Sequence, residues 1–211
     1  MTEPRSTLTK EEVIKDFRTK EIVRAARRVI AESGFDDASM ERIAHEAQIS
    51  KGTIYLYFRS KEELLAHVAD HGFGELMERA RLGTTRARGA APKLVGLMRA
   101  ALEHTSENRE IFRVLQERTQ FGLEPESPLA AKLERSREAL LSFVAAIVQS
   151  GTKSGELRPC DSRRAARFLI EAMRGGIIDR LQNPSPSGVE SDAAAIVDFF
   201  LHGVGAREKK K

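Results

Sequence analysis

The residues best suited to molecular recognition lie in one short stretch, residues 51–57, which reads KGTIYLY. On a helix, Ile54 and Phe58 lie one turn apart, and we expect both to face inward. The side chains left for the outer surface are those of Lys51, Thr53, Tyr55 and Tyr57. Ammonium, hydroxyl and phenol groups on a slim helix suit hydrogen bonding to base edges and phosphates in a duplex groove.

Two short helices joined by a tight turn must position this stretch. Ser39 is a favoured N-cap residue, and apolar residues recur at helical spacing after it, at Met40, Ile43, Ala44 and Ala47. Gln48 and Ile49 leave room only for a tight turn before Ser50, which caps the helix from Lys51 to about Phe58. Two helices packed across such a turn form a helix-turn-helix.

The segment before this pair is predicted to be a polar arm, loose or partly helical, over residues 1–17, followed by a helix from Arg18. An apolar stripe at helical spacing supports the helix, and Gly34 ends it. Glycine adopts the left-handed conformation after a helix without steric cost, and Phe35 can then fold back onto Ile30.

A fourth helix is predicted after Ser60, because Ser60 and Glu63 have the spacing of a capping box. Gly72 and Gly74 weaken the middle of this helix, so we expect a kink or a break there. Residues 82–92, LGTTRARGAAP, are expected to form a linker.

The remainder of the chain alternates amphipathic stretches with loop residues, and no strand pattern or internal repeat is evident. This predicts an all-α fold of about nine helices. The later helices are expected at residues 93–105, 107–121, 129–153, from the Asp161 cap to 182, and 191–203, with a loop at 183–188.

Residues 35–65, FDDASMERIAHEAQISKGTIYLYFRSKEELL, carry a specific resemblance. The E-R-I-A, the A-x-I-S-K-G-T-I-Y-x-Y-F and the K-E-E-L-L segments resemble the DNA-binding signature of the TetR (tetracycline-repressor-like) family. The match covers residues 18–68. Gln48 stands where the family usually has glycine, so a positive φ at this position would carry modest strain.

The resemblance implies an N-terminal three-helix DNA-binding domain over residues 18–68. It implies a helical-bundle domain for effector binding and dimerisation over 69–206, and a basic tail follows at 207–211. The residues that would contact DNA are Ser39, Arg42, Lys51, Gly52, Thr53, Tyr55, Tyr57 and Lys61. The alternatives are that Lys51, Lys61 and Arg42 are ordinary surface charges, that a tyrosine packs internally, and that Ser39 only caps its helix.

The last two predicted helices are expected to form a homodimer interface, because small residues on one face allow close helix approach. The proposed interface residues are Phe168, Ala172, Gly175, Gly176, Ile196, Phe199 and Phe200. The alternative is that these residues belong to the intramolecular core.

A small, largely apolar effector is expected in the second domain, where flexible and aromatic side chains could line a pocket. The candidates are His71, Phe73, Met77, Met98, Phe112, Phe143 and Met173. For any single one of them, core packing is the alternative. His67 and His71 also have the i, i+4 spacing of metal ligands, but no third ligand is evident, and we expect no metal and no cofactor.

Charge alone does not identify the partner. The chain carries a net charge of +4, and residues 1–62 hold twelve basic against eleven acidic residues. A single cysteine, Cys160, excludes an internal disulfide. No signal peptide or membrane-spanning apolar run is found, so we expect a cytoplasmic protein that does not contact membranes.

The function implied is a homodimeric transcription regulator, a repressor that leaves a two-fold symmetric double-stranded operator when its effector binds. The alternative within the same fold is an activating or ligand-independent regulator working through a protein partner. An enzyme is not expected, since no nucleophile elbow, P-loop, dinucleotide fingerprint or metal triad is present.

Overall fold

The computed structural model describes residues 9–120, 123–183 and 188–202. Within these ranges the chain forms nine α-helices and no strand, which confirms the all-α expectation. The helices are α1 Lys10–Asp37, α2 Met40–Glu46, α3 Lys51–Tyr57, α4 Lys61–Thr85, α5 Ala90–Glu107, α6 Arg109–Gln120, α7 Pro128–Lys153, α8 Ser162–Gln182 and α9 Val189–His202. Some predicted features lie outside the described ranges: the basic tail, parts of the polar arm, parts of the 183–188 loop, and residues 121 and 203 at the predicted ends of two helices.

The chain divides into two compact units. The first comprises Met1–His71 and Val114–Lys132, and the second comprises Gly72–Arg113 and Leu133–Lys211. In the first unit α1 packs on α2, and α2 packs on α3. Its fully buried side chains include Ile22, Ile30, Ile43, Ile54, Phe58, Leu64 and Leu65.

The ends of α1 follow from local chemistry. The helix begins at Lys10, eight residues before the predicted start. Thr9 and Glu12 form a capping box there: Thr9 Oγ1 accepts from the Glu12 N–H at 3.2 Å, and Glu12 accepts from the Thr9 N–H at 2.7 Å. The predicted stop at Gly34 is confirmed: Gly34 leaves helical geometry with φ of 76°, and residues 35–37 of the α1 span are a separate helical piece beyond this kink, with Phe35 buried.

Of the kink or break predicted at Gly72 and Gly74, the break is wrong, because the helix is continuous to Thr85. The connection to α5 therefore shortens from residues 82–92 to residues 86–89. Ser60 does accept from the Glu63 N–H at 3.1 Å, but the Glu63 carboxylate accepts from the Arg59 N–H instead of from Ser60. The capping box is thus only half formed.

In the second unit, α5 is the central helix and packs against α8 and α9. Leu94, Leu97, Met98 and Leu102 of α5 are buried in one apolar cluster with residues of α4, α7, α8 and α9. A glycine pair allows α4 and α5 to cross closely. A Cβ on Gly96 would lie 2.9 Å from the Gly83 carbonyl oxygen. No helix in the described ranges is long and apolar enough to span a bilayer.

Candidate nucleic-acid interface

Two serines define the start of each short helix. Ser39 Oγ accepts from the Arg42 N–H at 3.2 Å, and Ser50 Oγ accepts from the Thr53 N–H at 3.1 Å. Each bond satisfies a backbone donor that has no partner inside its own helix. The N-cap roles predicted for both residues are confirmed.

The turn between α2 and α3 is built around Gln48, which has φ of 55° and is the one non-glycine residue with positive φ in the described ranges. The Ile49 N–H donates to the Ala44 carbonyl and the Gln48 N–H to the His45 carbonyl, each at 3.0 Å. These are the two bonds of a Schellman motif, which ordinarily places glycine at the Gln48 position. The turn geometry is therefore kept without the glycine.

The faces of α3 follow the predicted division in part. Ile54 and Phe58 are buried, while Lys51, Gly52, Tyr55 and Leu56 are exposed. Thr53 and Tyr57 are half-buried at the flanks of that exposed face.

Gly52 has no internal reason to be glycine. It lies within α3, and a Cβ built on it would meet only Ser50 Oγ, at 3.9 Å. Alanine is a better helix former than glycine by about 1 kcal/mol. The open space at Gly52 therefore favours a role in contacts outside the folded chain. A molecule that approaches this position closely would leave no room for a side chain.

Lys51 forms an ion pair with Glu41 across the two short helices. This hydrogen bond lowers the pKa of the Glu41 carboxyl and raises that of the Lys51 ammonium. Both groups are exposed, so the pair is weakly held and Lys51 can exchange its partner for a phosphate or a base.

Lys61 hydrogen-bonds to the backbone where α1 leads into α2. Its ammonium donates to the carbonyls of Phe35 at 2.8 Å and Asp36 at 3.0 Å, and it lies 4.5 Å from the centroid of the Phe35 ring. Arg118 lies at the same distance from that ring. An ammonium has three donors, so only one hydrogen of Lys61 is left for a phosphate. Lys61 is therefore neither an unattached surface charge nor a cation fully available to a phosphate.

Arg42 is exposed, and its guanidinium lies 3.5 Å from the Asp37 carbonyl oxygen. Near it, a cavity of about 340 Å³ is lined by Val29, Glu32, Glu41, Arg42, His45 and Glu46. Three carboxylates therefore lie beside the cationic groups proposed to contact DNA. Glu41 and the highly exposed Leu56 were missed by the sequence analysis, because both are unremarkable in type and only their position on the folded surface marks them.

Most of the candidate effector residues pack in the core of the second unit. Met77, Met98 and Met173 are buried in its apolar cluster, and Phe73 and Phe143 pack partly buried against it. Phe112 meets His104 edge-on at 5.8 Å between ring centroids.

The two histidines with the i, i+4 spacing of metal ligands contact other groups. His71 lies in the first unit, with Nδ1 at 3.4 Å from Arg27. The Nδ1 atom of His67 is 3.0 Å from the Glu63 carbonyl oxygen, and its ring meets Phe58 edge-on. No group of three metal-ligating side chains occurs in the part of the chain that the structure describes.

An arginine-lined groove of about 510 Å³ was not anticipated from the sequence. It lies between α4 and α5 in the second unit, and its cationic members are Arg79, Arg86 and Arg99. Arg79 pairs with Glu107 at 2.7 Å and Arg99 with Glu190 at 3.3 Å, both as exposed ion pairs.

The residues proposed for a dimer interface separate into two groups. A Cβ on Gly176 would lie 2.5 Å from Ile196 Cδ1, so these two residues serve the packing of α8 on α9 within one chain. Phe200 is half-buried against the core, and Ala172 is also half-buried. By contrast, Phe168 is 65% and Phe199 56% exposed, and nothing lies within 4 Å of a Cβ on the exposed Gly175.

Comparison with known proteins agrees with this geometry. Residues 22–68 match the model of the tetR family of bacterial regulatory proteins. The chain is 30% identical to a fatty acid metabolism regulator protein of Bacillus subtilis, over 87% of this chain and 94% of that protein. It is 25% identical to the helix-turn-helix-type transcriptional regulator YhgD of the same organism, over 90% and 97% of the two chains.

A solved structure shares the fold. The transcriptional regulator FadR from Bacillus subtilis, in complex with stearoyl-CoA, superimposes with a TM-score of 0.76 at 24% identity, covering 88% of this chain and 99% of that one. The matched family segment contains both short helices and the turn described above. The chain therefore belongs to the tetR family of bacterial regulatory proteins and is a DNA-binding transcription regulator.

Proposed function

We propose that this protein is a homodimeric repressor that binds a two-fold symmetric operator through α3 and is released by an acyl-CoA. The residues assigned to DNA contact are Ser39, Arg42, Lys51, Gly52, Thr53, Tyr55, Tyr57 and Lys61. Of these, Lys61 has the smaller part, because its ammonium mainly holds the α1–α2 connection.

The observation that carries the DNA-binding part is the exposed face of α3, where Lys51 and Tyr55 flank the open space at Gly52. A major groove about 12 Å wide admits one helix, and a glycine there lets the backbone approach the bases. Lys51 could donate to guanine O6 or N7 once it leaves Glu41.

The test is a gel shift with the DNA upstream of the protein's own gene. We expect wild type to bind at low salt and the double variant Lys51→Ala plus Tyr55→Ala to lose binding while remaining folded, because both side chains are exposed. The matched control, Lys153→Ala plus Leu82→Ala, removes one cation and one exposed side chain from the second unit and should bind as wild type. An unchanged shift for the double variant would refute the assignment.

Dimerisation would extend the contacted DNA, since one helix-turn-helix contacts only a few base pairs. Two copies together would contact both halves of a symmetric operator. Exposed Phe168 on α8 and exposed Phe199 on α9 supply the apolar area that such an interface requires. These two residues, rather than Gly176 and Ile196, are the ones we assign to the partner contact.

The effector class is supported by two observations. One relative is a regulator of fatty acid metabolism, and a protein of the same fold is in complex with stearoyl-CoA. In this chain the second unit has an apolar core, and Ala100 belongs both to that core and to the arginine-lined groove. An apolar interior beside three guanidinium groups suits a ligand with an apolar tail and a phosphorylated head.

The effector is tested by adding stearoyl-CoA to the protein–DNA complex, with free CoA as control. We expect stearoyl-CoA to release the DNA and free CoA to leave it bound. A switch from mostly bound to mostly free requires the ligand to prefer one state by about 5.5 kcal/mol. Arg86→Gln plus Arg99→Gln should raise the stearoyl-CoA concentration needed for release without changing DNA affinity. DNA binding that ignores stearoyl-CoA would reject the effector while leaving the DNA-binding role intact.

A further inference from the structure

The outermost side chain of α3 is that of Leu56. An α-helix turns by about 100° per residue, so Leu56 lies about 200° around the axis from Ile54. Ile54 is fully buried and anchors the inner face, whereas Leu56 is 81% exposed, more than any other large apolar residue in the described ranges. Leu56 therefore points almost directly away from the core of the first unit.

The surroundings of Leu56 match a nucleic acid better than an apolar protein partner. Gly52 precedes it by one helical turn and leaves open space beside it. Lys51, Tyr55 and Arg59 are the exposed neighbours in sequence, and they supply cationic and hydrogen-bonding groups. Leu56 is therefore a small apolar patch next to polar and cationic side chains.

A leucine side chain has no donor or acceptor, so it cannot read a base by hydrogen bonding. The apolar feature that the major groove presents is the C5-methyl group of thymine. We propose that Leu56 is a specificity-determining residue that contacts a thymine methyl in each operator half-site, and that Gly52 allows the helix to approach the DNA closely. This inference rests on the DNA-binding function proposed for α3.

The experiment uses the full-length protein and duplexes that it selects from a random-sequence pool. Each thymine of the selected half-site is replaced in turn by deoxyuridine, which removes only the methyl group. For wild type we expect one position at which this replacement weakens binding about fourfold, because the complex loses the burial of one methyl group. Leu56→Ala should bind the thymine and deoxyuridine duplexes equally at that position.

Two further variants make the result specific. Leu56→Met keeps an apolar side chain and should retain the preference for thymine. Leu82→Ala, which removes another strongly exposed leucine, should behave as wild type. The inference is overturned if wild type binds every deoxyuridine duplex as tightly as its thymine counterpart, or if Leu56→Ala keeps the preference. If the protein selects no duplex at all, the DNA-binding role of α3 fails and this inference fails with it.

Discussion

At the residue scale, the surface of α3 that we propose to bind DNA depends on the absence of a side chain at Gly52 as well as on the side chains present. Gly52 leaves a gap on the exposed face, and Lys51 is held beside it by Glu41. Neither feature improves the stability of the fold appreciably. Each therefore predicts an effect on binding that is separable from an effect on folding.

Gly52→Ala should stabilise the chain and weaken DNA binding. Alanine improves helix propensity by up to about 1 kcal/mol, and no internal atom opposes its Cβ. The added methyl would meet the duplex, and we expect at least about a tenfold loss of affinity, equivalent to about 1.4 kcal/mol. Urea unfolding and gel shifts measure the two effects.

Gly74→Ala is the matched control, because Gly74 is also helical and exposed and a Cβ on it would meet nothing within 4 Å. It should give a similar gain in stability with no change in DNA affinity. Equal losses of DNA affinity in both variants would show that Gly52 has no special place at the interface.

Glu41→Gln should strengthen DNA binding. The substitution frees Lys51 and removes a carboxylate from the surface proposed to meet phosphates, so affinity should rise about two- to fivefold at low salt and less at high salt. Glu134→Gln, which changes the net charge equally on an exposed residue of the second unit, is the control and should have no such effect.

The pH dependence of this effect has a definite sign. Because Lys51 lowers the pKa of Glu41, the carboxylate stays charged at every pH above its ordinary value of 4.5. The advantage of Glu41→Gln should therefore be constant from about pH 5.5 to pH 8. An advantage that disappears within that range would mean that another group is responsible.

At the element scale, the sequence predicted several helix starts that a single side-chain cap determines, although it missed the Thr9–Glu12 capping box at the start of α1. Ser39, Ser50 and Asp161 cap their helices as expected, because a side-chain oxygen bonds to a nearby backbone N–H regardless of the remainder of the fold. The break predicted in α4 from Gly72 and Gly74 does not occur. Helix propensity is a weak preference, and Leu76, Met77 and Ala80 bury the same helix in the core just beyond them.

In the candidate site, as in the helices, local features were predictable from the sequence and long-range contacts were not. Inward and outward residues of α3 follow from helical spacing, so Ile54 and Tyr55 were placed correctly. The attachment of Lys61 to the carbonyls of Phe35 and Asp36 was not predictable, because it joins residues 26 and 25 positions apart. Long-range contacts of this kind leave no local pattern in a sequence.

The turn at Gln48 supplies a stability prediction. A side chain in the left-handed region costs about 1–2 kcal/mol, part of which is offset because glycine loses more backbone entropy on folding. Gln48→Gly should therefore stabilise the fold by about 0.5–1 kcal/mol in urea unfolding. Gln48→Ala keeps the strain and should leave stability nearly unchanged. A gain with alanine equal to that with glycine would show that the turn is unstrained.

At the scale of the whole molecule, the proposed function requires two copies of the chain to bind one operator. Phe168 and Phe199 are the strongly exposed aromatic residues of α8 and α9, whereas Gly176 and Ile196 are used within one chain. The few interface residues whose loss costs about 2 kcal/mol or more are enriched in large aromatic side chains near the centre of the interface. The dimer should therefore be sensitive to Phe199 and insensitive to exposed leucines elsewhere.

Phe199→Asp should weaken the dimer about 30-fold or more, the equivalent of about 2 kcal/mol, without unfolding the exposed face of α9. Sedimentation velocity over a range of concentrations measures the loss, and gel shifts on a two-half-site duplex should show weaker and less cooperative binding. Leu82→Asp makes the same apolar-to-acidic change at a residue 68% exposed on α4 and should stay dimeric. If Phe199→Asp sediments as wild type does, the partner contact does not include α9, and the spacing of the two reading heads must be set by another surface.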